Sequence, residues 1–392
     1  MKKVLLRAPL LTNSGYGVHS RQIFKWLEQL DIDLTVECLR WGKTSWTLDE
    51  KKENGIFKRI MERAKPLDPG SYDLSLQVQL PNEWDNSLAK FNIGITAAVE
   101  TDKCSPKWIE DCNKMDQIIV PSTFTKNVIK RSGPLKTPIF VVQEWFDQKI
   151  LSRSLIDKTL NDKRFDFIKT NFNILVIAQI TSMNDNTDRK NLINTIKWCY
   201  KEYENNPDVG IVIKTNFGKG TESDKDLTRK FLKQRINEFR KNNGPKIYLV
   251  HGNLSTEEVF ALYQHKKMKM FALATRGEGY GLPLIEAAAS GLPIVTTNWS
   301  GHLEFLKKDL FYPVDYSLRQ VEKEKIDNHI FIEGHKWAEP SEASFKKQIR
   351  EVYNNYDNAN SKSNKLKDHV LKNYNSAIIK KLYNDVVFGG KK

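Results

Sequence analysis

The stretch whose reading decides the fold is Arg276-Gly277-Glu278-Gly279-Tyr280-Gly281-Leu282-Pro283-Leu284-Ile285-Glu286-Ala287-Ala288-Ala289-Ser290-Gly291-Leu292-Pro293. An apolar run over 269–274 precedes it and a second over 293–297 overlaps its end, and both read as strands. Between them glycines open the backbone, and Pro283 stands where a helix has its first residue, a position that needs no N–H. A strand that enters a helix through glycines presents unsatisfied N–H groups and the positive dipole end at the carboxyl edge of a parallel sheet. That is a seat for a diphosphate. Glu278 is expected in the loop and Glu286 in the helix's first turn, so both carboxylates face one crevice and accept bonds from sugar or ribose hydroxyls. Taken singly, Glu286 could equally complement the helix dipole and Glu278 be a solvated loop residue.

The same alternation extends in both directions. Downstream of 170, strands are expected at 173–179, 209–214 and 247–250, and helices at 191–203, 226–241, 256–263 and 283–290. Upstream, strands are expected at 3–8, 34–39, 73–78, 91–96 and 117–120, and helices at 18–30, 107–113 and from the Ser122 cap to about 130. Gly15-Tyr16-Gly17 reads as a flexible turn. Alternating strands and helices argue for parallel sheets with crossovers, an α/β fold. The charged stretch 148–169 has no strand signal and reads as a connection, while 345–388 reads as two or three amphipathic helices. The expected domains are 1–165 and 166–370, with a terminal helix, 371–392, returning to the first.

Composition excludes several classes. With 392 residues, 40% hydrophobic and 28% charged, the chain is long enough for two globular domains. No run approaches the roughly 18–20 apolar residues of a membrane span. The run Val4 to Leu6 is broken by Arg7, too short for a signal peptide. Cys38, Cys104, Cys112 and Cys199 are widely spaced and read as free thiols of a cytoplasmic protein. A net charge of +14 suits a polyanionic partner, nucleic acid or an anionic membrane face. It also suits compositional drift, since lysine outnumbers arginine and is spread along the chain.

Glu278 and Glu286 form an E-x7-E spacing, and the string around them resembles family 4 of the GT-B-fold retaining glycosyltransferases. Ser14-Gly15-Tyr16-Gly17 resembles that family's N-terminal glycine loop, and Val120-Pro121-Ser122-Thr123-Phe124 its turn after a strand. Val99-Glu100-Thr101-Asp102 resembles an E-T-D loop of some members, and Arg189-Lys190-Asn191 the basic turn of the donor domain. The likeness spans about 3–306 and is similar in detail to glycosyltransferase-like proteins of tailed phages. It implies a GT-B architecture, two facing Rossmann-like domains with a central cleft and C-terminal helices.

The resemblance also implies roles. Glu278 would contact the donor sugar and Glu286 the nucleotide ribose. Amides of Gly279, Tyr280, Gly281 and Leu282 would hold sugar and phosphates, with Gly15 and Gly17 on the donor side. Arg189 and Lys190 would neutralise the departing diphosphate. Lys214 is a further phosphate candidate, or simply a lysine leaving the sheet edge. Gln179 departs from the arginine many members carry there. No histidine occupies the N-domain loop where many members have one, which leaves Glu100 or Asp102 for a positioning or base-like role, with His19 a poorer candidate. Trp41, Trp46 and Trp84 could stack on an acceptor, or pack in the core. The implied reaction needs no cofactor; no D-x-D pattern falls in the donor loop, and the acidic residues of 185–188 read as a flexible turn, so no metal is expected. The co-substrate is a nucleotide-diphosphate sugar, UDP-glucose on frequency. Acceptors to weigh are a hydroxymethylated pyrimidine in phage-type DNA, a cell-envelope glycan or lipid, and a small molecule. A catalytically silent sugar-nucleotide or glycan-binding module on the same fold is the alternative of another class.

Overall fold

The computed structural model describes residues 1–42, 44–98, 100–161, 164–241 and 243–389. Val99, in the E-T-D stretch, lies outside them. The chain forms two units. The first comprises Met1–Trp145, Asp327–His335 and the stretch from Ala377; the second comprises Phe146–Ile326 and Lys336–Ser376.

In chain order the first unit contains β1 (Lys2–Ala8), α1 (Gly15–Leu27), β2 (Ile32–Cys38), α2 (Lys52–Arg63), β3 (Leu74–Val78), β4 (Asn92–Ile95), α3 (Pro106–Cys112), β5 (Gln117–Val120), α4 (Thr123–Arg131) and β6 (Ile139–Val141). Its six strands are parallel in the order β2-β1-β3-β4-β5-β6, with Val4 opposite both Leu34 and Leu74. Val4, Leu5 and Leu6 are fully buried, as expected for a strand covered on both faces. Gly15–Gly17 is not a flexible turn but the first turn of α1. The Ser14 hydroxyl accepts from the Gly17 N–H at 3.0 Å, and that cap starts the helix earlier than the apolar spacing suggests. Gly17 is required by packing, because a Cβ there would lie 2.1 Å from the Thr12 carbonyl oxygen.

The second unit contains α5 (Arg153–Asn161), β7 (Phe172–Ile177), α6 (Leu192–Glu202), β8 (Val209–Lys214), α7 (Glu222–Asn237), β9 (Lys246–Val250), α8 (Thr256–Gln264), β10 (Met268–Leu273), α9 (Leu282–Ser290), β11 (Ile294–Thr297) and β12 (Tyr312–Val314). An antiparallel hairpin of β13 (Tyr316–Gln320) and β14 (Lys336–Pro340) follows, then α10 (Glu342–Asn354), α11 (Tyr356–Asn373) and α12 (Ser376–Phe388). The parallel sheet runs β12-β11-β10-β7-β8-β9.

The unit boundary falls at Trp145–Phe146, ahead of the 165/166 expected from charge. The intervening segment belongs to the second unit because Phe146, Ile150, Ile156 and Phe165 are buried in its core. Gln264 also donates to the Ile150 carbonyl, and Lys149 pairs with Glu257 at 3.2 Å. Two departures from simple chain order stand out. Residues 327–335, between β13 and β14, sit in the first unit, where Ile330 packs on a cluster containing Ala98 and Trp108. The last helix, α12, contributes Ile379 and Tyr383 to the first unit's core. No helix among the described residues is long and apolar enough to cross a membrane. All four cysteines are free thiols.

Candidate functional site

In the second unit β7 and β10 are neighbours, yet the chain continues from them toward opposite sides of the sheet. The loops leaving their carboxyl ends therefore diverge, which makes this the switch point where α/β sheets bind ligands. Residues 178–191 come from β7 and 274–281 from β10.

The acidic stretch 185–188, read from sequence as a flexible turn, is tightly built. Asp188 is 2% exposed, and its carboxylate accepts from the Thr181 hydroxyl at 2.5 Å and the Leu192 N–H at 2.8 Å. Asp185 pairs with Arg235. Asn191 donates to the Ala274 carbonyl at 2.9 Å, stitching the turn to the end of β10. These bonds deliver Arg189 and Lys190 to the glycine loop. Arg189 donates to the Gly277 carbonyl at 2.5 Å and lies 3.6 Å from the Glu278 carboxylate. Lys190 bonds both Glu278 oxygens, at 2.7 and 2.5 Å, and the Thr275 hydroxyl donates to one of them at 2.9 Å.

Glu278 is 5% exposed. Burial alone would raise its carboxyl, but Lys190 and Arg189 outweigh burial and hold it at about 2. Relative to an ordinary 4.5, that corresponds to about 3 kcal/mol of stability. This contribution is present above pH 4.5 and is lost as pH falls toward 2, where the folded state would have to take up the proton.

Glu286 behaves in the opposite sense. Helix α9 starts at Leu282, with Gly281 as its left-handed cap and Pro283 as the second residue rather than the first. Glu286 accordingly lies beyond the first turn. Burial pushes its carboxyl up to about 7, reinforced by Asp147 and opposed by the Tyr263 hydroxyl and Lys214. Burial also lowers the Lys214 ammonium, with Glu286 opposing the shift. Lys214 ends β8 half-buried against Glu286 and does not simply leave the sheet edge. Tyr280 is 2% exposed with its ring against Phe305, so any ligand contact of the glycine loop there comes from backbone.

Sequence reasoning missed the turn after β11. The Glu278 N–H donates to the Ser300 hydroxyl at 2.9 Å, and the Gly301 N–H donates to the Glu278 carbonyl at 2.8 Å. A Cβ on Gly301 would lie 2.0 Å from the Gly279 carbonyl oxygen. The signal that could have found the turn is Ser300-Gly301-His302 just after a strand, on the sheet position beside β10.

In the first unit, Trp41 stacks on Tyr16 with centroids 3.8 Å apart, and the Tyr16 hydroxyl accepts from the Ala97 N–H at 3.0 Å. Glu100 and Asp102 are half-buried in the loop after β4. Glu100 raises the Tyr16 phenol through its charge, after burial, and Asp102 acts on His335. Trp46 is 39% exposed and, with Arg40, Gly42 and Thr44, lines a cavity of about 300 Å³. Trp84 lies over Gly94, where a Cβ would meet its ring at 2.7 Å, and packs on the unit's second cluster. His19 is buried and bonds Tyr383 of α12 at 2.9 Å, a tie between that helix and α1.

Residues 179–311 match the family described as Glycosyl transferases group 1. No curated protein sequence matches the chain. Among solved structures, a glycosyltransferase from Rickettsia africae is similar with a TM-score of 0.68 at 12% identity, covering 99% of both chains. Anabaena HepE in complex with UDP-glucose is similar with a TM-score of 0.66 at 11% identity, covering 99% of this chain and 100% of that one. Sucrose-phosphate synthase from Thermosynechococcus elongatus scores 0.64 at 13% identity over 100% of both. These likenesses establish the GT-B fold.

Proposed function

We propose, for a chain whose residues 179–311 form a group 1 glycosyl transferase domain within a GT-B fold, that the protein moves a hexose from a nucleotide-diphosphate sugar to a hydroxyl acceptor, with retention at the anomeric carbon. The observation that carries this reading is Glu278, a buried carboxylate held ionised by Lys190 and Arg189 beside a glycine-capped helix start. A fixed acceptor of this kind suits sugar hydroxyls, and the N-terminus of α9 suits the diphosphate.

In this reading the backbone of Gly279, Tyr280, Gly281 and Leu282 lines the sugar and phosphates. Lys190, shared between Glu278 and the departing diphosphate, stabilises the charge that develops as the bond breaks. Arg189 and Lys214 add positive charge, and Glu286 accepts the ribose hydroxyls. The bond between anomeric carbon and phosphate oxygen breaks, and the acceptor oxygen bonds the same face of the sugar. Its proton passes to the departing phosphate oxygen, so no protein nucleophile is required. Glu100, Asp102 and the Trp41–Tyr16 stack are the acceptor-side candidates.

UDP-glucose is the donor we favour, supported by the UDP-glucose complex of the HepE structure. For the acceptor, the net charge of +14 and the phage-like sequence favour a hydroxymethylated pyrimidine in DNA. The cavity at Arg40, Thr44 and Trp46 favours instead a small hydroxylated acceptor. Incubation with a panel of UDP- and GDP-sugars, with and without hydroxymethylcytosine DNA or sugar acceptors, tests both. Release of nucleotide with a hexose mass gained by one acceptor is expected, and no nucleotide release from any donor refutes the proposal.

A pH dependence follows from Glu286. Its ionised form accepts the ribose hydroxyls, and its carboxyl titrates near 7. UDP affinity is therefore expected to rise as pH increases through 7, by up to about tenfold per pH unit on the acid side. The same shift makes Glu286 a stabilising group below pH 4.5 whose contribution fades as pH rises through 7. Calorimetric titration of UDP between pH 5.5 and 8.5 checks the binding slope, which should flatten in Glu286→Gln.

A further inference from the structure

We infer that the turn Ser300-Gly301-His302 is a positioning device that sets where the Glu278 carboxylate stands relative to the start of α9, acting on the donor sugar without touching it. The inference rests on the reading of Glu278 as the ligand of the donor sugar.

The hydrogen bonds define a directed chain. The Thr297 carbonyl can only accept, so the His302 Nε2 at 2.7 Å must carry a proton. The histidine is fully buried, and burial, the largest influence on its ring, disfavours the charged form. Its Nδ1 is then an acceptor, facing the Ser300 hydroxyl at a long 3.4 Å. That orients the hydroxyl proton toward His302 and leaves a lone pair for the Glu278 N–H at 2.9 Å. The next residue, Gly301, donates to the Glu278 carbonyl at 2.8 Å. Two consecutive residues thus hold the N–H and the C=O of Glu278.

His302 also packs beneath the helix start, since a Cβ on Gly281 would lie 3.1 Å from the His302 Cβ. One turn therefore registers Glu278 against the cap of α9. Ser300 supplies the second, independent observation. Its φ of 93° and ψ of −163° fall in a region that glycine occupies at ease and serine does not. Glycine would relieve this strain but could not offer an acceptor to the Glu278 N–H. A strained side chain whose hydroxyl meets the peptide of a site residue is what a positioning role requires.

The arrangement matters because Lys190 holds Glu278 in the structure. When a diphosphate arrives and shares that ammonium, the carboxylate's placement falls to its backbone and to the Thr275 hydroxyl. Small displacements then carry large rate penalties, since productive contacts tolerate only about 0.5 Å.

The experiment compares Ser300→Gly, His302→Gln and His302→Asn with wild type. Calorimetry gives the affinities of UDP and UDP-glucose, release of UDP from UDP-glucose gives turnover, and thermal unfolding reports the fold. Ser300→Gly should melt no lower than wild type and bind UDP within about twofold, yet lose roughly tenfold or more in UDP-glucose affinity or turnover. His302→Gln keeps a donor for Thr297 but no acceptor at Nδ1 and should resemble Ser300→Gly. His302→Asn keeps the acceptor for Ser300 and should retain more turnover. Wild-type turnover in Ser300→Gly, or equal losses for UDP and UDP-glucose, overturns the inference while leaving the donor site standing. A wild-type protein that binds UDP but no UDP-sugar overturns the reading of Glu278 itself.

Discussion

Replacing Glu278 by alanine is expected to reduce transfer by about 10³-fold or more while free UDP binds as well as before or better. In the proposed reading the two readouts separate because the carboxylate serves the sugar, whereas Lys190 and Arg189, which pair with it in the structure, serve the diphosphate. Removing the carboxylate frees both cations for phosphate. Glu278→Gln keeps an oxygen acceptor without the charge, and should fall between wild type and alanine in turnover. Both variants forgo about 3 kcal/mol of neutral-pH stability tied to the lowered carboxyl, so unfolding must be measured alongside activity. Steady-state transfer, UDP calorimetry and circular dichroism on the same preparations check this. A folded Glu278→Ala with wild-type turnover removes Glu278 from the chemistry.

The second large effect is structural. Arg276 is fully buried two residues before Glu278, and its guanidinium has partners on three sides. It makes a bidentate pair with Glu339 of β14 at 2.9 and 3.1 Å, and donates to the Asp185 and Asp188 carbonyls at 2.7 Å each. It also lies over the Trp337 ring at 5.7 Å. One side chain fastens the β13–β14 hairpin and the Arg189–Lys190 turn to the glycine loop. Arg276→Met leaves the Asp185 and Asp188 carbonyls without their donor and strips from Glu339 one of its two arginines, Arg319 remaining at 3.1 Å. The expected loss is about 3 kcal/mol and on the order of 10 °C in melting temperature. UDP affinity should fall as well, because the turn carrying Lys190 loses its anchor. Arg276→Met combined with Glu339→Leu, which also removes the Arg319 partner, should lose less stability than the sum of the two single variants and should not regain the affinity. Additive stability losses in that double variant would show that the pair is not the anchor.

Much of the fold was legible along the chain because its signals are local. Val4 to Leu6 and Ile211 to Ile213 are apolar enough to be strands buried on both faces, and all six are fully buried. Ser122 announced its helix by capping it, accepting from the Thr125 N–H at 3.2 Å. The glycines around Glu278, with proline just inside the helix, marked the loop that opens α9. Errors came where a side-chain bond overrode the pattern. Ser14 turned an apparently flexible Gly15–Gly17 into helix, and Asp188 made the turn at 185–188, apparently flexible too, a rigid one.

The sequence by itself determined the alternation of strands and helices, the helix start at the glycine loop and the residue types available there, because propensity, capping and apolar spacing act within a few residues. Only the tertiary structure decided which charges meet and in what state. Lys190 and Glu278 are 88 residues apart and bond at 2.5 Å because β7 and β10 are neighbours in the sheet. Two glutamates eight positions apart titrate near 2 and near 7, one because two cations overcome its burial and the other because its neighbours do not. Burial and long-range charge belong to the folded arrangement, and no local stretch of chain encodes them.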